Sequence, residues 1–169
     1  FSCFFTGTIS REEAFQKRPF RDCRRAHAAP QARDAGLCGE GYAALNDVPD
    51  QVGDRIRAGA FSRSLRGGSG GIPMLLQHKS GAIAGRWTRI TETGVGLMVR
   101  GLVEAPGALS LIQSGLDGLS IGFRPRLARP LVGGGRDLID LDLVEISLVA
   151  HPMQPAARFK VPGLARAAA

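Results

Sequence analysis

Apolar residues along this chain recur mostly at every second position or in short runs, the rhythm of half-buried strands. From Gly39, "GEGYAAL" (39–45) has the glycine-bounded, partly alternating form of a first strand. "NDVPDQVGD" (46–54) follows as a loop, since Asn, Asp, Pro and Gly each favour turn geometry. "IPMLLQH" (72–78) is a short apolar strand ending in a histidine. "IAGRWTRITE" (83–92) and "GVGLMVRGLVE" (94–104) predict a hairpin turning near Thr93 and Gly94. In "GLSIGFRPRL" (118–127), Leu119, Ile121 and Phe123 share one face, and Ser120, Gly122 and Arg124 the other. "RDLIDLDLVEISLVAHP" (136–152) predicts a long strand with Val144, Ile146 and Leu148 on one face and Glu145 and Ser147 on the other.

Two segments depart from that rhythm. "RAGAFSRSL" (57–65) places Ala58, Phe61 and Leu65 on one side of a short helix. "APGALSLIQSG" (105–115) opens with a proline in the first turn and closes on glycine, so it also predicts a helix, burying Leu109, Ile112 and Leu116. Between them "RGGSGG" is a flexible break. The expected fold is mainly β with flanking helices, the strands forming a closed antiparallel β-barrel. Residues 1–38 read as a basic N-terminal extension, either an exposed tail or upstream sequence from a wrong start. Residues 39–160 form the expected folded domain and 161–169 a short C-terminal tail.

Composition narrows the function classes. With 169 residues, 44% of them hydrophobic and 22% charged, one domain with a real core is expected. No apolar run reaches membrane-spanning length, so no membrane partner is expected. The net charge of +7 is concentrated near the ends, at Arg18, Arg21, Arg24, Arg25, Arg33, Arg158, Lys160 and Arg166. Without a nucleic-acid motif or an aromatic platform, this charge does not predict DNA or RNA binding. The three cysteines, Cys3, Cys23 and Cys38, are too few and too irregular for a disulfide scaffold, and free thiols are expected. Cys23, His27 and Cys38 fit no standard zinc spacing, so neither metal nor cofactor is expected.

The candidate chemistry is acyl transfer by serine. Ser120 sits on a strand face between Gly118 and Gly122, whose lack of bulk would let a substrate or backbone approach its hydroxyl. A nucleophilic serine needs a base and a group that orients the base. His78 can supply the base, and Glu145 the orienting carboxylate, with His151 or Asp142 as substitutes for the last. No G-x-S-x-G elbow surrounds Ser120, and "GGSGG" lacks the lysine of a phosphate-binding loop.

Four pieces in order carry a resemblance: "GYAALNDVPDQVGDRIRAGAFSRSL", "IPMLLQH" with His78, "GLSIGF" with Ser120, and "EISLVAHPMQPAARF" with Glu145. Together, from Gly39 to Phe159, the chain resembles the prohead (capsid maturation) serine proteases of tailed bacteriophages, themselves similar to the herpesvirus assemblins. The resemblance implies a herpesvirus-protease-like barrel and a serine endopeptidase with His78, Ser120 and Glu145 as catalytic residues. It implies the scaffolding segment of the major capsid protein as substrate and partner, and allows self-cleavage and a homo-oligomer. It places the protein in the bacterial host cytoplasm, inside the assembling prohead of a phage, a prophage or a gene transfer agent. The alternative is a catalytically inactive capsid-assembly module built on the same barrel.

Overall fold

The computed structural model describes residues 36–68 and 71–164. The expectation of a basic N-terminal extension falls almost wholly outside them, as do Cys3, Cys23 and His27.

The architecture is mainly β. The strands are β1 (Leu37–Leu45), β2 (Arg55–Ile56), β3 (Met74–Leu76), β4 (Lys79–Glu92), β5 (Gly96–Val103), β6 (Gly118–Pro130), β7 (Arg136–Val149) and β8 (Phe159–Lys160). Among the described residues there is one α-helix, α1 (Pro106–Gln113), and one 3₁₀ turn at Ser64–Gly67. No described helix is long and apolar enough to cross a membrane.

β7 is the spine of the sheet. One of its edges pairs with β6 along most of its length, from Gly118 opposite Val149 to Pro130 opposite Arg136. Its other edge carries β2 at Asp137 and Leu138 and β3 at Ile146 to Leu148, both parallel to it. From β3 the sheet continues through β4, β5 and β1 to β8. The expected closed, all-antiparallel barrel is therefore corrected: two ladders are parallel, and the sheet does not close. Between β6 and the β8 region stand only an isolated bridge, Gly118 with Arg158, and two flanking backbone hydrogen bonds. A two-residue β8 is too short to complete a ladder.

The core lies on one face of this curved sheet. Phe61, Met74, Leu97, Val99, Val103, Leu119, Leu138, Leu141, Ile146 and Leu148 are all fully buried. α1 covers it with Ala108 and Ile112, while Leu109 and Leu116 are only half buried. Pro106 starts this helix, where its missing N–H costs nothing, and Gly115 follows its end at φ 102°.

The helix expected over 57–65 does not form. Gly59 adopts φ 92°, and the amides of Gly59 and Phe61 donate to the Glu92 carboxylate at 2.9 and 3.2 Å. Ser62 Oγ donates to the same carboxylate at 2.8 Å. Ser64 Oγ spans the edge of β7, donating to Leu141 O and accepting from Leu143 N. Partners remote in sequence satisfy the groups a helix would have used, so the segment runs as turns between β2 and β3. The free-thiol expectation is also corrected at one position: Cys38 is disulfide-bonded.

Candidate active site

The three expected site residues sit on three neighbouring parts of the sheet. Ser120 is on β6, Glu145 on β7, and His78 in the tight turn after β3. Adjacent strands are about 4.8 Å apart, so β7 separates the serine strand from the histidine turn by one strand on either side.

His78 is held by an unusual backbone. Leu76 pairs with Lys79, leaving Gln77 and His78 as a two-residue hairpin loop with φ 53° and 58°. Two left-handed residues match the twist of the hairpin, yet for non-glycine residues each costs on the order of 1 kcal/mol. The turn is tied to β7, where Gln77 N donates to Leu148 O at 2.9 Å. It is tied again just beyond, where Ala150 N donates to Gln77 Oε1 at 3.4 Å. The turn directs the imidazole back over β7, where His78 Nδ1 lies 2.6 Å from Glu145 Oε1. The His78 side chain is 45% exposed and that of Glu145 only 10%, so the carboxylate is buried and the base faces outward.

Glu145 reaches this position because β7 carries a bulge. Glu145 faces Gly122 and Leu143 faces Phe123, which leaves Val144 as the extra residue. The buried series Leu141–Leu143 and Ile146–Leu148 belong to one core although they are out of phase along a regular strand. The extra residue absorbs that slip. Strict alternation from Leu141 and Leu143 would have turned Glu145 and Ser147 into the core. Val144 accordingly does not share the face of Ile146 and Leu148; it is 42% exposed.

Below the bulge, cross-strand partners share a face, so Ser120 opposite Ser147 and Gly122 opposite Glu145 lie together. Ser147 Oγ donates a short hydrogen bond to Glu145 Oε2 and is fully buried. Ser120 is 4% exposed, and among the described residues its hydroxyl has no hydrogen-bond partner, His78 included. Hydrogen bonds of this kind often tighten only when substrate binds.

The two glycines flanking Ser120 serve the protein's own packing rather than an open approach. A Cβ on Gly118 would stand 2.3 Å from Val149 O. A Cβ on Gly122 would stand 2.5 Å from Glu145 Oε1 and 2.8 Å from its Cγ. Because that carboxylate is held at both oxygens, it has no free direction in which to yield. Gly122→Ala is expected to cost roughly 1–3 kcal/mol by overpacking, read as a lower denaturant midpoint. It should also abolish the low-field proton resonance of the His78 Nδ1–H···Glu145 bond.

The substitutes for the third position lie elsewhere. Asp142 is engaged by Arg126 at 3.0 Å and by Arg63 at 2.9 Å. The Arg126 hydrogen bond, helped by Arg63, holds its carboxyl below the usual range. Arg63 in turn is held above its ordinary value, chiefly by its hydrogen bonds to Asp140. His151 is exposed on the loop after β7 and makes no hydrogen bond to His78 or Glu145. No described group of three or more His, Cys, Asp or Glu residues is arranged to hold a metal.

This arrangement is an exposed imidazole backed by a buried carboxylate, one strand from a serine, on an open β-sheet. The fold is similar to that of herpesvirus proteases. The varicella-zoster virus protease superposes with a TM-score of 0.52 at 16% identity, over 74% of this chain and 63% of the viral one. Kaposi's sarcoma herpesvirus protease in complex with an allosteric inhibitor gives 0.50 at 15% identity, over 73% and 74%. The same virus's protease with a hexapeptide phosphonate inhibitor gives 0.49 at 14%, over 73% and 64%. The chain thus spans a little under two thirds of the length of two of these enzymes. No protein of curated function matches the sequence. The family of caudovirus prohead serine proteases matches residues 27–166, and the chain belongs to that family.

Proposed function

We propose that this chain is a serine endopeptidase that cleaves the scaffolding segment of a major capsid protein during prohead maturation. Membership of the prohead serine protease family supports the reaction class. The observation that carries the residue assignment is the 2.6 Å contact between His78 Nδ1 and the buried carboxylate of Glu145. A carboxylate on Nδ1 fixes the tautomer that leaves Nε2 free as a base.

In this mechanism Ser120 Oγ attacks the scissile carbonyl carbon while His78 Nε2 takes its proton. The negative charge of Glu145 stabilises the imidazolium that results. His78 then gives the proton to the departing amine, which leaves an ester on Ser120. Water, deprotonated by the same imidazole, attacks the ester; the ester C–Oγ bond breaks, the imidazolium returns its proton to Ser120 Oγ, and the new carboxyl product leaves. Membership of the prohead protease family supports the substrate assignment, and self-cleavage belongs to the same chemistry. The reaction would take place inside the assembling shell, in the host cytoplasm.

A peptidyl phosphonate tests the reaction without knowledge of the cleavage site. Mass spectrometry is expected to find a single adduct on Ser120, absent in Ser120→Ala. Co-expression with the capsid protein encoded alongside it should shorten that protein. No adduct overturns the proteolytic reading and favours the non-enzymatic capsid-assembly module, whereas an adduct on another residue overturns the assignment of Ser120 as nucleophile.

A further inference from the structure

Resting on that proteolytic reading, we infer that Ser147 is a positioning residue for the catalytic carboxylate. Its hydroxyl holds Glu145 Oε2 so that Oε1 is presented to His78.

The inference starts from an accounting of the carboxylate. Glu145 is 8% exposed, and burying an ionised group so far from water costs energy unless its oxygens are paired. Each oxygen has one partner: Oε1 meets His78 Nδ1 and Oε2 accepts from Ser147 Oγ. Nδ1 alone would fix one atom and leave the plane of the carboxylate free to turn about it. A second bond, from the neighbouring side chain on the same face of the same strand, fixes the plane.

The rest of the geometry excludes a nucleophilic role for Ser147 and supports an orienting one. Ser147 is fully buried, with Ser120 opposite it on β6 and Leu75 opposite on β3. An ionised carboxylate can only accept, so the Ser147 proton points at Oε2 and away from Ser120. On the third side Gly122 leaves room for the Glu145 side chain alone. The carboxylate is therefore located by a hydroxyl, an imidazole and a missing Cβ.

The full chain tests this through Ser147→Ala and Ser147→Thr, the second keeping the hydroxyl. Two readouts are used: the second-order rate of phosphonate labelling at Ser120, and the low-field imidazole N–H proton resonance assigned by its loss in His78→Ala. A hydrogen bond to a charged group supports an expected fall in labelling rate of roughly 10- to 100-fold in Ser147→Ala. The resonance should weaken or move upfield in that variant. Ser147→Thr should label within about 3-fold of the wild type, since its hydroxyl still donates. If Ser147→Ala fails to fold, Ser147→Cys, of similar volume but a weak donor, is expected to show the same direction in both readouts. Wild-type labelling and an unmoved resonance in Ser147→Ala or its cysteine replacement would overturn the inference. A wild type that never labels while its resonance still depends on Ser147 would instead sink the proteolytic reading and keep the positioning.

Discussion

Ser120→Ala is expected to abolish peptide cleavage while leaving the fold intact. Removing the nucleophile of a serine protease costs on the order of a million-fold in turnover, which takes any assay below detection. The stability change should stay within about 0.5 kcal/mol, because the Ser120 hydroxyl has no hydrogen-bond partner among the described residues. Capsid protein co-expressed with the variant should accumulate at full length, and thermal unfolding should match the wild type. Residual processing at more than a thousandth of the wild-type rate would remove Ser120 from the nucleophile's role.

The second large effect is expected for Glu145→Gln, and here the surroundings shape the outcome. In a triad whose carboxylate is held by fixed donors, an amide must turn its NH₂ towards the histidine and impose the wrong tautomer. Glu145 differs, because its second oxygen faces the Ser147 hydroxyl. A hydroxyl accepts as readily as it donates. The amide can therefore keep its oxygen on His78 Nδ1 and give its NH₂ to Ser147. Orientation survives and only the charge is lost. One unit charge about 4 Å from the imidazolium, at an effective dielectric near 20, is worth roughly 4 kcal/mol, or close to three decades in rate. Kinetics should show kcat falling by about that factor with KM little changed, since the missing charge acts on the transition state. Turnover equal to the wild type at every pH would exclude Glu145 and leave a serine–histidine dyad.

The β architecture was legible because most strands here obey a two-residue period. β1, β4, β5 and β6 fall close to where alternation places them, and α1 is bounded by the proline and glycine that marked it. What escaped depends on distant partners. Nothing local to residues 57–65 says that Glu92, some thirty residues on, will take their amides. Nor could the sequence show that β8 would be two residues long and leave the sheet open.

The site was partly legible for the same reason. Glu145 and Ser147 share a face by their spacing, and the resemblance to prohead proteases singled out Glu145. Ser147 carried no comparable signal beyond sitting two residues away on that face. The bulge was hidden because valine is as ordinary in a strand interior as on its surface, so Val144 looked like one more core position. The room that the missing side chains of Gly118 and Gly122 leave is filled by the chain itself, by Val149 O and by the Glu145 side chain.

That supernumerary valine has a consequence for how the gene can vary. The stretch from Leu143 to Ile146 acts as a phase shifter between an oily half of β7 and a reactive half. Losing the valine codon would let plain two-residue alternation run through β7. Isoleucine and leucine would stay inside and the acid and the hydroxyl on their own face, but the strand would lack the local bend and added twist that the bulge gives it. Substitutions at Val144 should be tolerated broadly, and its deletion should straighten β7 without turning the acid inward.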